Sequence, residues 1–238
     1  MPDAPTLVLV HGALTDASVW RAVSSRLQQA GHRVAAPALP MRTLDGDAAY
    51  LRAFLESVPG PLIVAGHSYA GSVLSHPAAL NPAVQALVFV AAFQPDVGET
   101  AAGLNGKFPG SLLTPDNLLV RDCPDGQEAY LRPEKFAEVY AADVDPAEAQ
   151  IMAAAQKPFD PATLGGTFTA PATWHTLPTW SVVSTADVSI PTQTLRWMAE
   201  RAGSTVTEVD SSHAVPVAHP EVVVDAVLAA AATRASAH

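Results

Sequence analysis

Short β-branched runs alternate with longer amphipathic stretches along most of the chain. The apolar runs lie at residues 6–10, 33–36, 62–65, 86–91, 180–184 and 205–209, and most are continuous, as parallel strands buried on both faces require. The run at 205–209 alternates more and is expected nearer an edge. Helical patterns occupy 16–30, 45–58, 70–80, 192–202 and 220–233. In the first of these, Trp20, Val23, Leu27 and Ala30 recur at helical spacing, and Gly31 stands where a helix would stop. This alternation predicts an α/β fold: a mostly parallel central sheet flanked by helices, joined by right-handed crossovers, with its ligand site at the carboxyl ends of the strands.

Residues 95–172 break the alternation. They carry helical patterns at 133–142 and 146–156 but no run that reads as a strand. A structureless loop of this length does not suit a compact domain. The expectation is therefore a helical cap of residues 95–172, inserted into a core made of residues 1–94 and 173–238.

Composition narrows the functional classes. With 49% hydrophobic and 15% charged residues among 238, the chain has too much apolar surface for a disordered protein and enough for one core without staples. Its 21 prolines are dispersed and bracket the expected elements. Thirteen Lys and Arg against 23 Asp and Glu give a net charge of −10, which repels nucleic acid and anionic membrane surfaces. The single cysteine, Cys123, can form no internal disulfide, so nothing marks an oxidising compartment. The N-terminal stretch has no positive region and only a short apolar run before His11, and no apolar run approaches the length of about 20 residues that spans a membrane. A cytoplasmic protein with no nucleic-acid or membrane partner is expected.

The sharpest chemical signal is Gly66-His67-Ser68-Tyr69-Ala70-Gly71, which follows an apolar run and precedes a helical pattern. A serine at the apex of a sharp strand-to-helix turn is lifted out of the sheet and sits at a helix N-terminus, where N–H groups favour developing negative charge. The plainer reading is an ordinary N-cap serine. Together with His11-Gly12-Ala13 after the first strand, the hexapeptide resembles the α/β-hydrolase family, and the likeness in order and spacing runs over essentially the whole chain. Within that family the short chain, the His-Gly-Ala opening and the single cap resemble the esterase and hydroxynitrile-lyase branch. One position departs from the pattern: the family has glycine two residues after the nucleophile, and Ala70 stands there.

A nucleophilic serine needs a base and an acid. His213, just after the run at 205–209, would reach the same sheet edge as Ser68 and take its proton. His11 and His67 flank glycine turns and are expected to brace them; His32, His76, His175, His219 and His238 suit the role less well. Asp187 follows the run at 180–184 and occupies the family's acid position, giving the order Ser68, Asp187, His213. Asp96 is its rival, and Asp210 lies too close to His213 along the chain. The resemblance also implies an oxyanion hole formed by the backbone N–H groups of Ala13 and Tyr69.

These residues point to a serine hydrolase acting on a small, largely apolar carboxylic ester. Cyanohydrin cleavage is an alternative, but relatives with that activity carry threonine at the position of Gly12 and lysine at the position of Ala214. A ligand-binding module that keeps the fold is another. Phe108, Leu112, Leu113, Phe136, Tyr140, Met152, Phe159 and Trp174 are available to wall the pocket, and Tyr69 is in a position to reach it. No metal-ligand spacing, phosphate loop or dinucleotide fingerprint occurs, so no cofactor is expected.

Overall fold

Both faces of the first strand, β1 (Thr6–Val10), are buried: Leu7 and Leu9 enter one core and Val8 and Val10 the other. The computed structural model of the chain describes residues 4–233. After β1 the first half of the chain forms α1 (Arg21–Gln29), β2 (Val34–Ala35), α2 (Leu44–Ser57), β3 (Leu62–His67), α3 (Ala70–Ser75) and β4 (Val84–Val90). A long insertion follows, with α4 (Ala101–Asn105), β5 (Leu118–Cys123), β6 (Gly126–Leu131), α5 (Pro133–Tyr140), α6 (Pro146–Ala154) and α7 (Ala162–Gly165). The chain then returns through β7 (Thr179–Ser184), α8 (Thr192–Arg201), β8 (Thr205–Val209), the short α9 (Val215–Ala218) and α10 (Pro220–Ala232).

Six strands make one sheet in the order β2-β1-β3-β4-β7-β8, and every neighbouring pair is parallel. Leu27 of α1, Met198 of α8 and Val227 of α10 cover one face. Leu51 of α2, Leu74 of α3 and insertion residues such as Phe136 cover the other. The winding direction reverses at β1, which has β2 on one side and β3 on the other. The carboxyl ends of β1 and β3 therefore flank the crevice that such a reversal creates. β8 lies at an edge and is largely exposed, in line with its alternating pattern.

Three elements differ from the sequence expectations. The helix expected over 16–30 begins as a 3-10 turn at Ala17–Trp20, where the Asp16 carboxylate accepts the Ser18 N–H at 2.8 Å. The helix expected to reach residue 80 stops at Ser75, because Pro77 disfavours helical geometry at His76, whose ψ is 125°. The insertion also contains strands: β5 and β6 pair antiparallel from Leu118 opposite Leu131 to Cys123 opposite Gly126. The sequence signal for that hairpin is Pro124-Asp125-Gly126, with Gly126 at φ 124°. It is weak because β5 is mostly exposed and lacks an apolar face.

Candidate active site

Ser68 follows β3 with φ 57°, a left-handed conformation rare for a residue bearing a Cβ. Conformations of this kind cost about 1–3 kcal/mol and persist where the surroundings over-determine them. Here the Ser68 N–H donates to the Val90 carbonyl at 3.1 Å, and the Ser68 carbonyl accepts the N–H groups of Gly71 at 3.0 Å and Phe93 at 3.1 Å. The close approach is at Gly71, where a Cβ would collide with the Phe93 carbonyl oxygen. The buried Ala70 is accommodated, so the departure from the glycine pattern falls at a position that tolerates a methyl group.

His213 and Asp187 reach Ser68 from the ends of β8 and β7. Asp187 Oδ2 accepts the His213 Nδ1–H at 2.6 Å, and His213 Nε2 accepts the Ser68 hydroxyl at 2.8 Å. The other Asp187 oxygen accepts the N–H groups of Ser189 at 2.8 Å and Ile190 at 2.9 Å, which locks the carboxylate. All three residues are buried. The two loops are tied together as well, since the Ala186 N–H donates to the Ser211 carbonyl at 3.1 Å. Asp96 lies elsewhere, paired with His175 Nε2 at 2.8 Å, and Asp210 is exposed.

The two histidines at glycine turns are braces. His67 donates from Nε2 to the His213 carbonyl at 2.9 Å. Burial, helped by the neighbouring His213, holds the His67 imidazole well below the ordinary histidine value, so it is neutral. His11 accepts the Leu39 N–H on Nε2 at 3.0 Å, which leaves Nδ1–H to donate to the Gly12 carbonyl at 2.8 Å. The loop that follows passes close to the serine: a Cβ on Gly12 would lie 2.7 Å from Ser68 Cβ and 2.7 Å from the His67 carbonyl oxygen. Among the described residues no acceptor takes the backbone N–H of Ala13 or of Tyr69.

The insertion supports the same residues. From the end of α5, the Val139 carbonyl accepts the Ser189 hydroxyl at 2.7 Å and the Tyr140 carbonyl accepts the Ser212 hydroxyl at 3.2 Å. The Asp143 carboxylate accepts the Ser212 N–H at 3.0 Å. Burial alone would raise the Asp143 carboxyl, but hydrogen bonds from Ser212 outweigh it and hold it below the usual range. None of these contacts carries a sequence motif.

A cavity of about 480 Å³ opens onto Ser68, within the range of small-molecule sites. Phe108, Leu113, Leu118 and Leu164 supply apolar walls, and among the described residues no lining side chain is charged. Of the other residues available for its walls, Phe136, Tyr140, Phe159 and Trp174 are core residues, Leu112 packs partly buried against that core, and Met152 lines a separate small cleft. The Tyr69 phenol turns inward, donating to Asp47 at 2.9 Å, and burial raises its hydroxyl well above the usual tyrosine value. Among the described residues no group of three His, Cys, Asp or Glu is placed to hold a metal ion, and no helix is long and apolar enough to cross a membrane.

Comparison with known proteins adds likenesses of sequence and of fold. The sequence model described as Alpha/beta hydrolase family matches residues 7–226. Lipase LipV of Mycobacterium tuberculosis is 32% identical over 156 residues, covering 61% of this chain and 55% of that protein. The carbendazim hydrolyzing esterase of a Nocardioides species is 33% identical over 110 residues, covering 41% of this chain and 46% of that protein. The chain thus spans about half the length of these two relatives. The crystal structure of polyneuridine aldehyde esterase superposes with a TM-score of 0.80 at 21% identity, covering 95% of this chain and 99% of that one, a likeness of fold.

Proposed function

The chain belongs to the alpha/beta hydrolase family, and on that premise we propose that it is a serine hydrolase cleaving small, largely apolar carboxylic esters through an acyl-enzyme intermediate. The observation that carries this reading is the His213 imidazole, 2.8 Å from the Ser68 hydroxyl on one side and 2.6 Å from Asp187 on the other. His213 Nε2 takes the Ser68 proton as Oγ attacks the ester carbonyl carbon. The carbonyl oxygen becomes an oxyanion between the free N–H groups of Ala13 and Tyr69. Collapse breaks the bond to the alcohol, which leaves with the proton from His213. Water then attacks the acyl group by the same route, releasing the acid and restoring Ser68. Asp187 holds the imidazole in the tautomer that accepts on Nε2 and stabilises the imidazolium.

Residues 95–172 act as the cap in this scheme, and a cytoplasmic location goes with the lone Cys123. The uncharged cavity supports a neutral substrate, and relatives named as a lipase and as esterases support an ester. Cyanohydrin cleavage is disfavoured because Ala214, next to the base, is buried and offers no cation. The test is stoichiometric labelling by an activity-based phosphonate, lost in Ser68→Ala, together with turnover of short p-nitrophenyl esters by the wild type. Labelling with no turnover across an ester panel would favour a binding module instead.

A further inference from the structure

Asp47, in the first turn of α2, is wholly buried, and among the described residues no Lys, Arg or His lies within ion-pairing distance of it. A carboxylate so placed is costly unless neutral donors satisfy both oxygens. One oxygen accepts the Tyr69 hydroxyl at 2.9 Å and the other accepts the Met41 N–H at 2.8 Å. Each bond ends in a strained stretch: Tyr69 follows Ser68 at φ 57°, and Met41 itself stands at φ 65°.

The loop carrying Met41 continues the connection. Two residues earlier, the Leu39 N–H donates to His11, whose other ring nitrogen donates to the Gly12 carbonyl. A line of hydrogen bonds and short backbone steps thus runs from the Tyr69 side chain through Asp47 and residues 39–41 to the segment that holds Ala13. We infer that Asp47 is a positioning residue, a strut that sets the spacing of the Tyr69 and Ala13 N–H groups. This inference rests on the oxyanion hole proposed above.

The strut acts on the transition state and leaves ground-state binding nearly untouched. Small misplacement of a catalytic constellation can cost about a hundredfold in rate, and losing a whole oxyanion donor costs about 10²–10³ in kcat. The test is kcat and KM on one p-nitrophenyl ester for Asp47→Leu, Asp47→Asn and Tyr69→Phe, with folding followed by circular dichroism. Asp47→Leu and Tyr69→Phe are expected to lose about tenfold or more in kcat with KM little changed. Asp47→Asn is expected to recover most of kcat, because its amide oxygen still accepts from Met41 and its amide N–H can donate to the Tyr69 oxygen. Should Asp47→Leu fail to fold, Tyr69→Phe carries the test, since it removes a single oxygen. Wild-type kcat in folded Tyr69→Phe, or a change confined to KM, overturns the strut while Ser68-dependent hydrolysis stands. A wild type without ester turnover or Ser68 labelling overturns both.

Discussion

The ring of Tyr140 meets the imidazole of His213 edge to face, with centroids 4.8 Å apart and planes at 84°. On another side of the imidazole the His67 ring lies 4.8 Å away. The Tyr140 hydroxyl makes only long contacts, 3.4 Å to Thr15 and 3.5 Å to His67, so its ring does most of the holding. Tyr140→Phe is expected to keep kcat within about twofold. Tyr140→Ala opens a cavity worth about 3–5 kcal/mol of stability and frees the imidazole, lowering kcat. Melting curves and steady-state kinetics on the two variants separate these outcomes.

Asp187 rather than Asp96 is expected to support the base. In Asp187→Asn the amide oxygen can still accept from Ser189 and Ile190, which turns the amide N–H toward His213 and forces the wrong tautomer. Loss of about 10⁴ in kcat is the expected scale for that change. Asp96→Asn, which removes the charge facing His175 away from Ser68, should stay within about twofold of wild type; the opposite ranking would move the acid to Asp96.

At Gly12 there is no room for a side chain, because a Cβ would stand 2.7 Å from both Ser68 Cβ and the His67 carbonyl oxygen. Gly12→Val should push the Ala13 loop away from the serine and lower turnover by about a hundredfold or more. Unchanged turnover would remove that loop from the chemistry.

Stability should fall in mild acid. Burial is the main cause that holds His67 and His11 below the ordinary histidine value in the folded protein. The unfolded chain protonates its histidines near pH 6.5, so their contribution is complete above about that pH and is lost as pH falls toward the folded values. The slope is at most about 1.4 kcal/mol per pH unit for each group. Asp47 works in the opposite sense, since burial raises its carboxyl and its contribution is lost as pH rises. Melting temperatures between pH 7.5 and 5 should therefore drop less in His67→Gln, which keeps a donor toward the His213 carbonyl. Equal drops would show that His67 is not a source of the acid sensitivity.

Much of the scaffold was legible because buried parallel strands announce themselves as apolar runs and because small residues crowd around a serine only where the chain turns sharply at a strand end. The runs at 6–10 and 205–209 coincide with β1 and β8. His213 lies within hydrogen-bond distance of both Ser68 and Asp187, the residues singled out with it from the chain. What escaped was structure set by long-range contact. Asp47 reads as one more helix-start acid until Tyr69 and Met41 are seen on its two oxygens. Tyr140 reads as a pocket wall until its ring is found against His213. In the β5–β6 hairpin β5 is mostly exposed and β6 buries only Ala129 and Leu131, which leaves too short an alternating pattern for a strand to be recognised.

The proposed reaction passes through a covalent bond to Ser68, which mass spectrometry of the protein quenched during turnover of a p-nitrophenyl ester detects directly. The predicted result is an added acyl mass on the peptide containing Ser68, absent in Ser68→Ala, which should no longer turn over the ester. Turnover by wild type with no adduct on that peptide, retained at full rate in Ser68→Ala, would contradict it.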